Sequence, residues 1–278
     1  MQHVLSTHLF VNQRLTTAGL ERIRTAGFPA VEIFCARQHL DYHDKGQISE
    51  FGHWFRDSQL KMHSLHSPIY SDDVWGRSGP NAVLDITHKL KARRMEVVDE
   101  IKRAIEIAES VPFRYLIQHV GVVGEEMDER RWDSAFSSLD EIRMFAVQRG
   151  VEVLLENIPN AFSSAARLND FLTMTHLKLG YCFDVGHAHI GNGVAAEFEL
   201  MKTRIRSTHL HDNDGAADLH LFPGQGTVDW REAMRLLNSR PEQYPAVLEL
   251  KEVRGIERPA EDAKRAVDDL DKYENDHE

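Results

Sequence analysis

The sequence predicts an α/β protein folded as a closed (β/α)8 TIM barrel. Three observations predict this fold: eight short apolar or β-branched runs recur along the chain, segments with helical spacing separate them, and 278 residues suit one barrel of roughly 250. The runs span residues 3–10, 30–36, 61–69, 115–120, 151–158, 179–185, 204–211 and 245–250. Because strands alternate with helices, the sheet is expected to be parallel.

The segments between the runs space their apolar residues as amphipathic helices do. The clearest series is Phe136, Leu139, Ile142 and Phe145, and similar series lie at residues 20–24, 101–108 and 230–237. The main alternative is an open, doubly wound sheet, which normally carries a glycine-rich phosphate loop after its first strand. Residues 7–12 read Thr-His-Leu-Phe-Val-Asn and contain no glycine, which favours the barrel.

The chain shows no break in composition and no linker rich in glycine, serine or proline. Residues 1–278 are therefore expected to form a single domain. Its last part, from about residue 261 to residue 278, is expected to be a C-terminal helix followed by a charged tail that frays.

Composition and charge narrow the function classes. A chain that is 42% apolar and 28% charged is an ordinary globular one, which excludes collagen-like and mainly disordered proteins. The net charge of −11 opposes binding to phosphate backbones, so contact with nucleic acid would need a local basic patch or bound metal ions.

Two cysteines suit a reducing compartment, and no long apolar stretch or signal segment is visible, which predicts a cytoplasmic protein without membrane contact. Formation of a homo-oligomer stays open.

Metal-binding side chains follow the predicted strands at the point where each strand ends. The third to eighth runs end, in order, in His66, His119, Glu156, Asp184, His209 and Glu249. Parallel barrels collect the carboxyl ends of their strands at one rim, so these side chains are expected to converge there. Buried carboxylates need a counter-charge, which a divalent cation supplies, and a mixed set of imidazoles and carboxylates suits zinc or manganese.

The loop after the seventh run adds further candidates. Asp218 and His220 are two residues apart, so in an extended segment their side chains face the same way. His209 and His211 share a face in the same manner, so one can bind a metal ion while the other orients it. The histidines at positions 8, 53, 63, 88, 176 and 189 are expected to be structural or solvated, with His8 the first candidate for an exception.

This ordered set of motifs resembles the xylose-isomerase-like barrel superfamily, which includes sugar-phosphate isomerases and epimerases and the endonuclease IV type of apurinic-site enzymes. The motifs are His66-Ser-Pro, His119-Val-Gly, Glu156-Asn, Phe183-Asp184-Val-Gly-His187, His209-Leu-His-Asp-Asn, Asp218-Leu-His220 followed by Gly224-Gln-Gly226, and Glu249. They extend over most of the chain, and as an ordered set they indicate the superfamily rather than one reaction.

The resemblance to ketose 3-epimerase-like members implies a divalent-metal-dependent isomerase or epimerase of a sugar or sugar phosphate. The implied metal ligands are Glu156, Asp184, Glu249 and either His209 or His211. Glu156 and Glu249 would remove and return a proton through a metal-stabilised ene-diolate. The substrate, a small sugar or sugar phosphate, would be held by His187 and His211.

The resemblance to the endonuclease IV type implies another chemistry, that of a multinuclear zinc phosphodiesterase. Its nine ligands for three zinc ions are matched in order by His66, His119, Glu156, Asp184, His187, His209, Asp218, His220 and Glu249. A metal-bound hydroxide would then attack phosphorus. The cofactor is thus one to three zinc or manganese ions per chain, and a third hypothesis is a metal-stabilised binding module. The acidic composition and the breadth of the superfamily favour the isomerase or epimerase.

Overall fold

The eight predicted runs form the eight parallel strands of a nearly closed barrel in the computed structural model, which describes residues 1–122, 127–240, 244–252, 255 and 257–274. The strands are β1 (His3–Ser6), β2 (Ala30–Phe34), β3 (Lys61–His66), β4 (Tyr115–Gln118), β5 (Glu152–Glu156), β6 (Gly180–Asp184), β7 (Ile205–His209) and β8 (Ala246–Leu248). Their order in the sheet is β7-β6-β5-β4-β3-β2-β1-β8, and paired neighbours run parallel. The end of the predicted charged tail, residues 275–278, lies outside the described residues.

The barrel closes between the ends of β7 and β8. The backbone N–H of Leu210 donates to Val247 O at 2.8 Å, and that of Glu249 donates to Leu210 O at 3.3 Å. Leu210 also forms a parallel bridge with Leu248. These bonds join the two edge strands, which confirms the predicted (β/α)8 barrel and excludes the open, doubly wound sheet.

The helices lie between the strands, as the apolar spacing predicts. The described α-helices are α1 (Thr17–Thr25), α2 (Lys45–Asp57), α3 (Lys91–Ile105), α4 (Glu129–Val147), α5 (Ala165–Met174), α6 (Val185–Ile190), α7 (Val194–Met201), α8 (Trp230–Leu237) and α9 (Pro259–Leu270). In α4, Leu139 and Ile142 are buried in the main hydrophobic core. Within the described part of the chain, no helix combines the length and hydropathy needed to span a bilayer.

Several strands end before the apolar runs do. β1 stops at Ser6, because Thr7–Phe10 turn into a 3-10 helix in which the Ser6 hydroxyl accepts a hydrogen bond from His8 N. Beside this turn, Thr7 Oγ1 accepts from Phe34 N at 2.9 Å. The last backbone N–H of β2 is therefore bonded to a side-chain hydroxyl instead of to a strand carbonyl. The candidate ligands His66, Glu156, Asp184 and His209 are the last residues of their strands, so they lie at the rim.

The inward side chains change from apolar near the middle of the barrel to ionisable at the rim. Leu154 and Cys182 pack with Tyr115 inside the barrel. Residues two apart on a strand share a face, so Glu156 follows Leu154 and Asp184 follows Cys182 on the same inner face. The packed layer beneath them keeps these carboxylates out of bulk water on that side.

Candidate metal centre

Four buried side chains meet at the rim, and we call them the primary cluster. They are Glu156, Asp184, His209 and Glu249, which end β5, β6 and β7 or follow β8. Their ligand atoms all lie within 4.8 Å of one another, and none of the four side chains is more than 3% exposed. His209 Nδ1 lies 3.0 Å from Glu156 Oε1, 3.3 Å from Glu249 Oε2 and 3.8 Å from Asp184 Oδ2. One imidazole nitrogen thus faces three carboxylates, two at the ends of β5 and β6 and one directly after β8.

A second cluster shares Glu156 with the first and adds His66 and His119. The Nε2 atoms of His66 and His119 lie 3.5 Å and 3.1 Å from Glu156 Oε2. Glu156 Oε1 faces His209, so the carboxylate turns one oxygen toward each cluster. This arrangement suits a carboxylate that bridges two cations.

A third cluster lies on the other side of Asp184 and contains His187, His211, Asp218 and His220. Asp218 Oδ2 lies 3.3 Å from His187 Nε2 and 3.2 Å from His220 Nε2. His211 stacks on His220 with ring centroids 4.1 Å apart. Among the described non-glycine residues, His220 alone has a positive φ, 47°. Such strained backbone tends to occur at functional sites.

The donor atoms fit a divalent cation. Asp184 Oδ2 and His211 Nδ1 are buried without a hydrogen-bond partner, which is costly in a protein interior. Within the described residues, the ion-pair partners of Glu156, Asp184 and Glu249 are all histidines. The carboxylates therefore lack a permanent positive charge, and imidazole with carboxylate is a donor set that zinc and manganese accept.

The clusters shift the pKa values of their own members. Burial by itself raises the pKa of Glu156, but the charges of His209 and His119 outweigh it and hold that pKa well below its usual value. Burial lowers the pKa of His220, but its hydrogen bond to Asp218 and the charge of Glu249 raise that pKa to about 9. Metal ions bind deprotonated imidazoles, so uptake of a cation here would release protons.

Hydrogen bonds from neighbouring residues hold the clusters in place. Asn157 donates from Nδ2 to Asp184 O at 2.9 Å and accepts from Asp184 N at 2.8 Å, which ties the end of β5 to the end of β6. Its backbone oxygen accepts from His187 Nδ1 at 3.0 Å, so Nε2 of His187 faces Asp218. Asp212 accepts from Trp230 Nε1 at 2.9 Å and from backbone N–H groups of the loop that carries Asp218 and His220.

Glu32 and Ser64 lie directly beside the primary cluster but are not among the residues predicted from the sequence. Glu32 is fully buried in β2, and its two carboxylate oxygens lie 3.1 Å and 3.2 Å from His209 Nε2. Ser64 Oγ donates to Glu32 Oε2 at 2.7 Å. One signal was available, because Glu32 is a single acid within the apolar run Ala-Val-Glu-Ile-Phe. The partner that orients His209 is thus Glu32, whereas His211 lies in the third cluster.

An aromatic wall and a cavity border the clusters. Phe34 stacks on His66 at 4.5 Å between ring centroids, and Trp75 packs against Phe34 and His8. His8 also contacts His220, while its Nδ1 donates to Leu250 O at 3.0 Å. His187 lines a cavity of about 500 Å³ whose other polar walls include Asn157, Asn160, Ser164 and Asn192. A cavity of this size accepts a small molecule.

The chain is similar to a known protein family, to individual proteins and to solved structures. A family model described as xylose isomerase-like TIM barrel matches residues 20–273. The uncharacterized protein y4fM of Sinorhizobium fredii is 29% identical over 192 residues, which is 63% of this chain and 61% of that protein. Fructoselysine 3-epimerase of Shigella flexneri is 27% identical over 164 residues, 56% of this chain and 59% of that protein. The crystal structure of a D-tagatose 3-epimerase-like protein superposes with a TM-score of 0.80 at 25% identity, covering 99% of this chain and 97% of that one.

Proposed function

The chain belongs to the xylose isomerase-like TIM barrel family, and we propose that it is a divalent-metal-dependent isomerase or epimerase of a sugar or sugar phosphate. The observation that carries the proposal is the pair of buried carboxylates, Glu156 and Glu249, which lie 3.0 Å and 3.3 Å from the same nitrogen of His209. Similarity to fructoselysine 3-epimerase and to a D-tagatose 3-epimerase-like structure supports it.

The reaction needs one group that removes a proton from a carbon next to a carbonyl and one that returns it. In our proposal, Glu156 and Glu249 take these two roles, because they come from the end of β5 and the segment after β8 and face one centre. A divalent cation held by Glu156, Asp184, His209 and Glu249 would act as a Lewis acid on the substrate oxygens. Exclusion of water by the packed barrel beneath strengthens these electrostatic effects.

The substrate would extend from the primary cluster into the cavity beside His187. We propose that the ring of His187 donates or accepts a hydrogen bond at a substrate oxygen, because it lines the cavity and its Nδ1 lies 3.4 Å from Glu156 Oε1 of the primary cluster. The carboxamides and hydroxyl around the cavity suit the hydroxyl groups of a sugar. His211 is fully buried and does not line this cavity, so we place it with the third cluster instead of with the substrate.

A sugar panel in D2O tests the proposal. Free and phosphorylated ketoses and aldoses are incubated with the protein and Zn²⁺ or Mn²⁺, and ¹H NMR follows deuterium entering the substrate carbon. We expect exchange with the parent chain and a loss of roughly 10²- to 10⁴-fold in Glu249→Gln, which removes one proton-transfer group.

The matched control is Glu109→Gln, a change of the same kind at an exposed carboxylate paired with Arg149. It is expected to leave the exchange rate unchanged. If no sugar in the panel exchanges with solvent in the metal-loaded parent chain, the isomerase proposal is wrong.

A second candidate function is a multinuclear zinc phosphodiesterase, and the three linked clusters favour it. The nine side chains that the sequence analysis matched to the endonuclease IV type all lie in these clusters, and Glu156 joins two of them. Elemental analysis of protein never exposed to chelator separates the candidates. About three zinc ions per chain together with cleavage of an abasic oligonucleotide would support the phosphodiesterase, and one metal ion per chain would support the isomerase.

A further inference from the structure

Glu32 is a fully buried carboxylate that has no role in either proposed reaction. It lies in the middle of β2, where each strand residue is buried and the other four are Ala, Val, Ile and Phe. A carboxylate in such a place is destabilising unless strong partners compensate it. Its hydrogen-bond partners should therefore reveal why the charge is there.

The partners of Glu32 are one imidazole nitrogen and one hydroxyl. Both carboxylate oxygens lie within 3.2 Å of His209 Nε2, and Ser64 Oγ donates to Oε2 at 2.7 Å. A carboxylate only accepts hydrogen bonds, so Nε2 of His209 must carry a hydrogen and donate it. Nδ1 faces the carboxylate of Glu156 at 3.0 Å in the same way, so without a cation it carries a hydrogen as well. When a cation takes the place of that hydrogen, the one held by Glu32 stays on Nε2 and the lone pair is on Nδ1.

The position of that lone pair decides what His209 offers the primary cluster. Nδ1 is the nitrogen that faces Glu156 Oε1 at 3.0 Å, Glu249 Oε2 at 3.3 Å and Asp184 Oδ2 at 3.8 Å. The ring is fully buried and lies between the carboxylate of Glu32 on one side and the cluster on the other. If the hydrogen moved to Nδ1, the imidazole would present a donor to the site where a cation needs a lone pair.

We propose that Glu32 is a positioning residue: it holds the hydrogen of His209 on Nε2 and thereby presents the Nδ1 lone pair to a cation in the primary cluster. Ser64 fixes the carboxylate of Glu32 in turn. The inference rests on the metal site of the proposed function but assigns a residue outside its ligand set. Carboxylates that orient a metal-binding histidine in this way typically contribute 10- to 100-fold to metal affinity.

Nuclear magnetic resonance of ¹⁵N-histidine-labelled protein tests the assignment directly. Long-range ¹H–¹⁵N spectra distinguish an N–H nitrogen from a nitrogen with a free or metal-bound lone pair, and His209→Gln identifies the signals of His209. In the parent chain we expect a hydrogen on Nε2 both with and without Zn²⁺, and an Nδ1 signal that shifts when Zn²⁺ replaces the hydrogen there. The zinc concentration that produces half of this shift, measured against a competing chelator, gives the affinity at His209 itself.

Three variants complete the test. Glu32→Gln keeps the size of the side chain but removes its charge, and it should weaken zinc binding at His209 by about 10- to 100-fold. Ser64→Ala should weaken it less, because the carboxylate stays. The matched control, Asp85→Asn, changes another buried carboxylate, one that accepts from Thr87 and lies outside the three clusters, and should leave the affinity unchanged.

The outcomes separate this inference from the proposed function. If zinc does not move the His209 signals of the parent chain, both the metal centre and the role of Glu32 are overturned. If zinc binds through Nδ1 but Glu32→Gln binds it as tightly as the parent, only the role of Glu32 is overturned. If Glu32→Gln does not fold, the spectrum of the zinc-loaded parent decides, because a hydrogen found on Nδ1 of His209 in that spectrum contradicts the proposal.

Discussion

Glu156 divides its two carboxylate oxygens between two groups of histidines. Oε1 lies 3.0 Å from His209 Nδ1, while Oε2 lies 3.1 Å from His119 Nε2. A carboxamide at this position would offer one acceptor oxygen and one NH2 group that only donates, so it could not serve both sides. Both candidate reactions therefore depend on this residue, and substitution of Glu156 cannot distinguish them, whereas metal counting can.

His39, which belongs to none of the three clusters, makes the stability of the chain depend on pH. It is fully buried, its Nδ1 donates to Gln13 O at 2.5 Å, and burial lowers its pKa from 6.5 to about 4. Above pH 6.5 neither the folded nor the unfolded state carries the proton. Below pH 6.5 the unfolded state takes it up first, so the contribution of His39 falls as the pH drops from 6.5 to 4.

From these pKa values, His39 should lower the free energy of unfolding by about 2 kcal/mol between pH 7.5 and pH 5. His39→Asn keeps a donor for Gln13 O and removes the titration. Urea unfolding of both proteins at the two pH values, with chelator present, measures the difference. Equal losses of stability in parent and variant would show that His39 does not titrate in this way.

At the scale of elements, α6 begins directly at the rim. Its first turn contacts Asp184 of the primary cluster and His211 of the third cluster. Asp184 Oδ1 accepts from His187 N at 2.6 Å and so caps the first turn of the helix. Between them, Gly186 packs against the ring of His211, where an added Cβ would lie 2.1 Å from Cε1. The close approach of helix and imidazole is possible because this position has no side chain.

Gly186→Ala should therefore destabilise the protein by about 1–3 kcal/mol, since the buried ring of His211 has to move. Gly19→Ala is the matched control, because Gly19 lies inside α1 and an added Cβ would meet its nearest neighbour at 3.6 Å. That change should stabilise the protein by about 0.5–1 kcal/mol. Chemical denaturation measures both, and a Gly186→Ala protein as stable as the parent would contradict the packing argument.

At the scale of the whole molecule, the barrel gathers side chains from residue 32 to residue 249 at one place. A cation held by Glu156, Asp184, His209 and Glu249 would connect β5, β6, β7 and the segment after β8, and only in the folded state. Binding to the folded state alone raises stability by mass action. We propose that residues 1–278 form one domain, so this stabilisation should appear in one cooperative transition.

Zinc at about a thousand times its dissociation constant should add about 4 kcal/mol, which raises Tm by on the order of 10 °C for a chain of this size. Scanning calorimetry with zinc and with chelator measures the shift. Glu249→Gln should lose most of it. A shift without solvent exchange on any sugar would favour the metal-stabilised binding module over both enzymes, and no shift in the parent chain would contradict a metal centre.

The sequence predicted which side chains converge at the rim, but it did not predict how they divide into three clusters. Strand ends are readable because apolar runs stop there, and the barrel places the residues after each run at one rim. The grouping of these candidate ligands into clusters depends on strand tilt and side-chain rotamers. Neither can be derived from the order of the residues along the chain. His209 and His211, for example, are two residues apart, but the structure places them in different clusters.

The sequence by itself determined the barrel and the ionisable ring at its rim, because strand periodicity and the residues that end each strand are local properties. Only the tertiary structure decided that Glu156 joins two clusters, that His211 belongs to the third, and that Glu32 holds His209. Glu32 and His209 are 177 positions apart in the chain, and their contact exists because closure of the barrel brings the inner faces of β2 and β7 together. No local sequence pattern predicts such a contact.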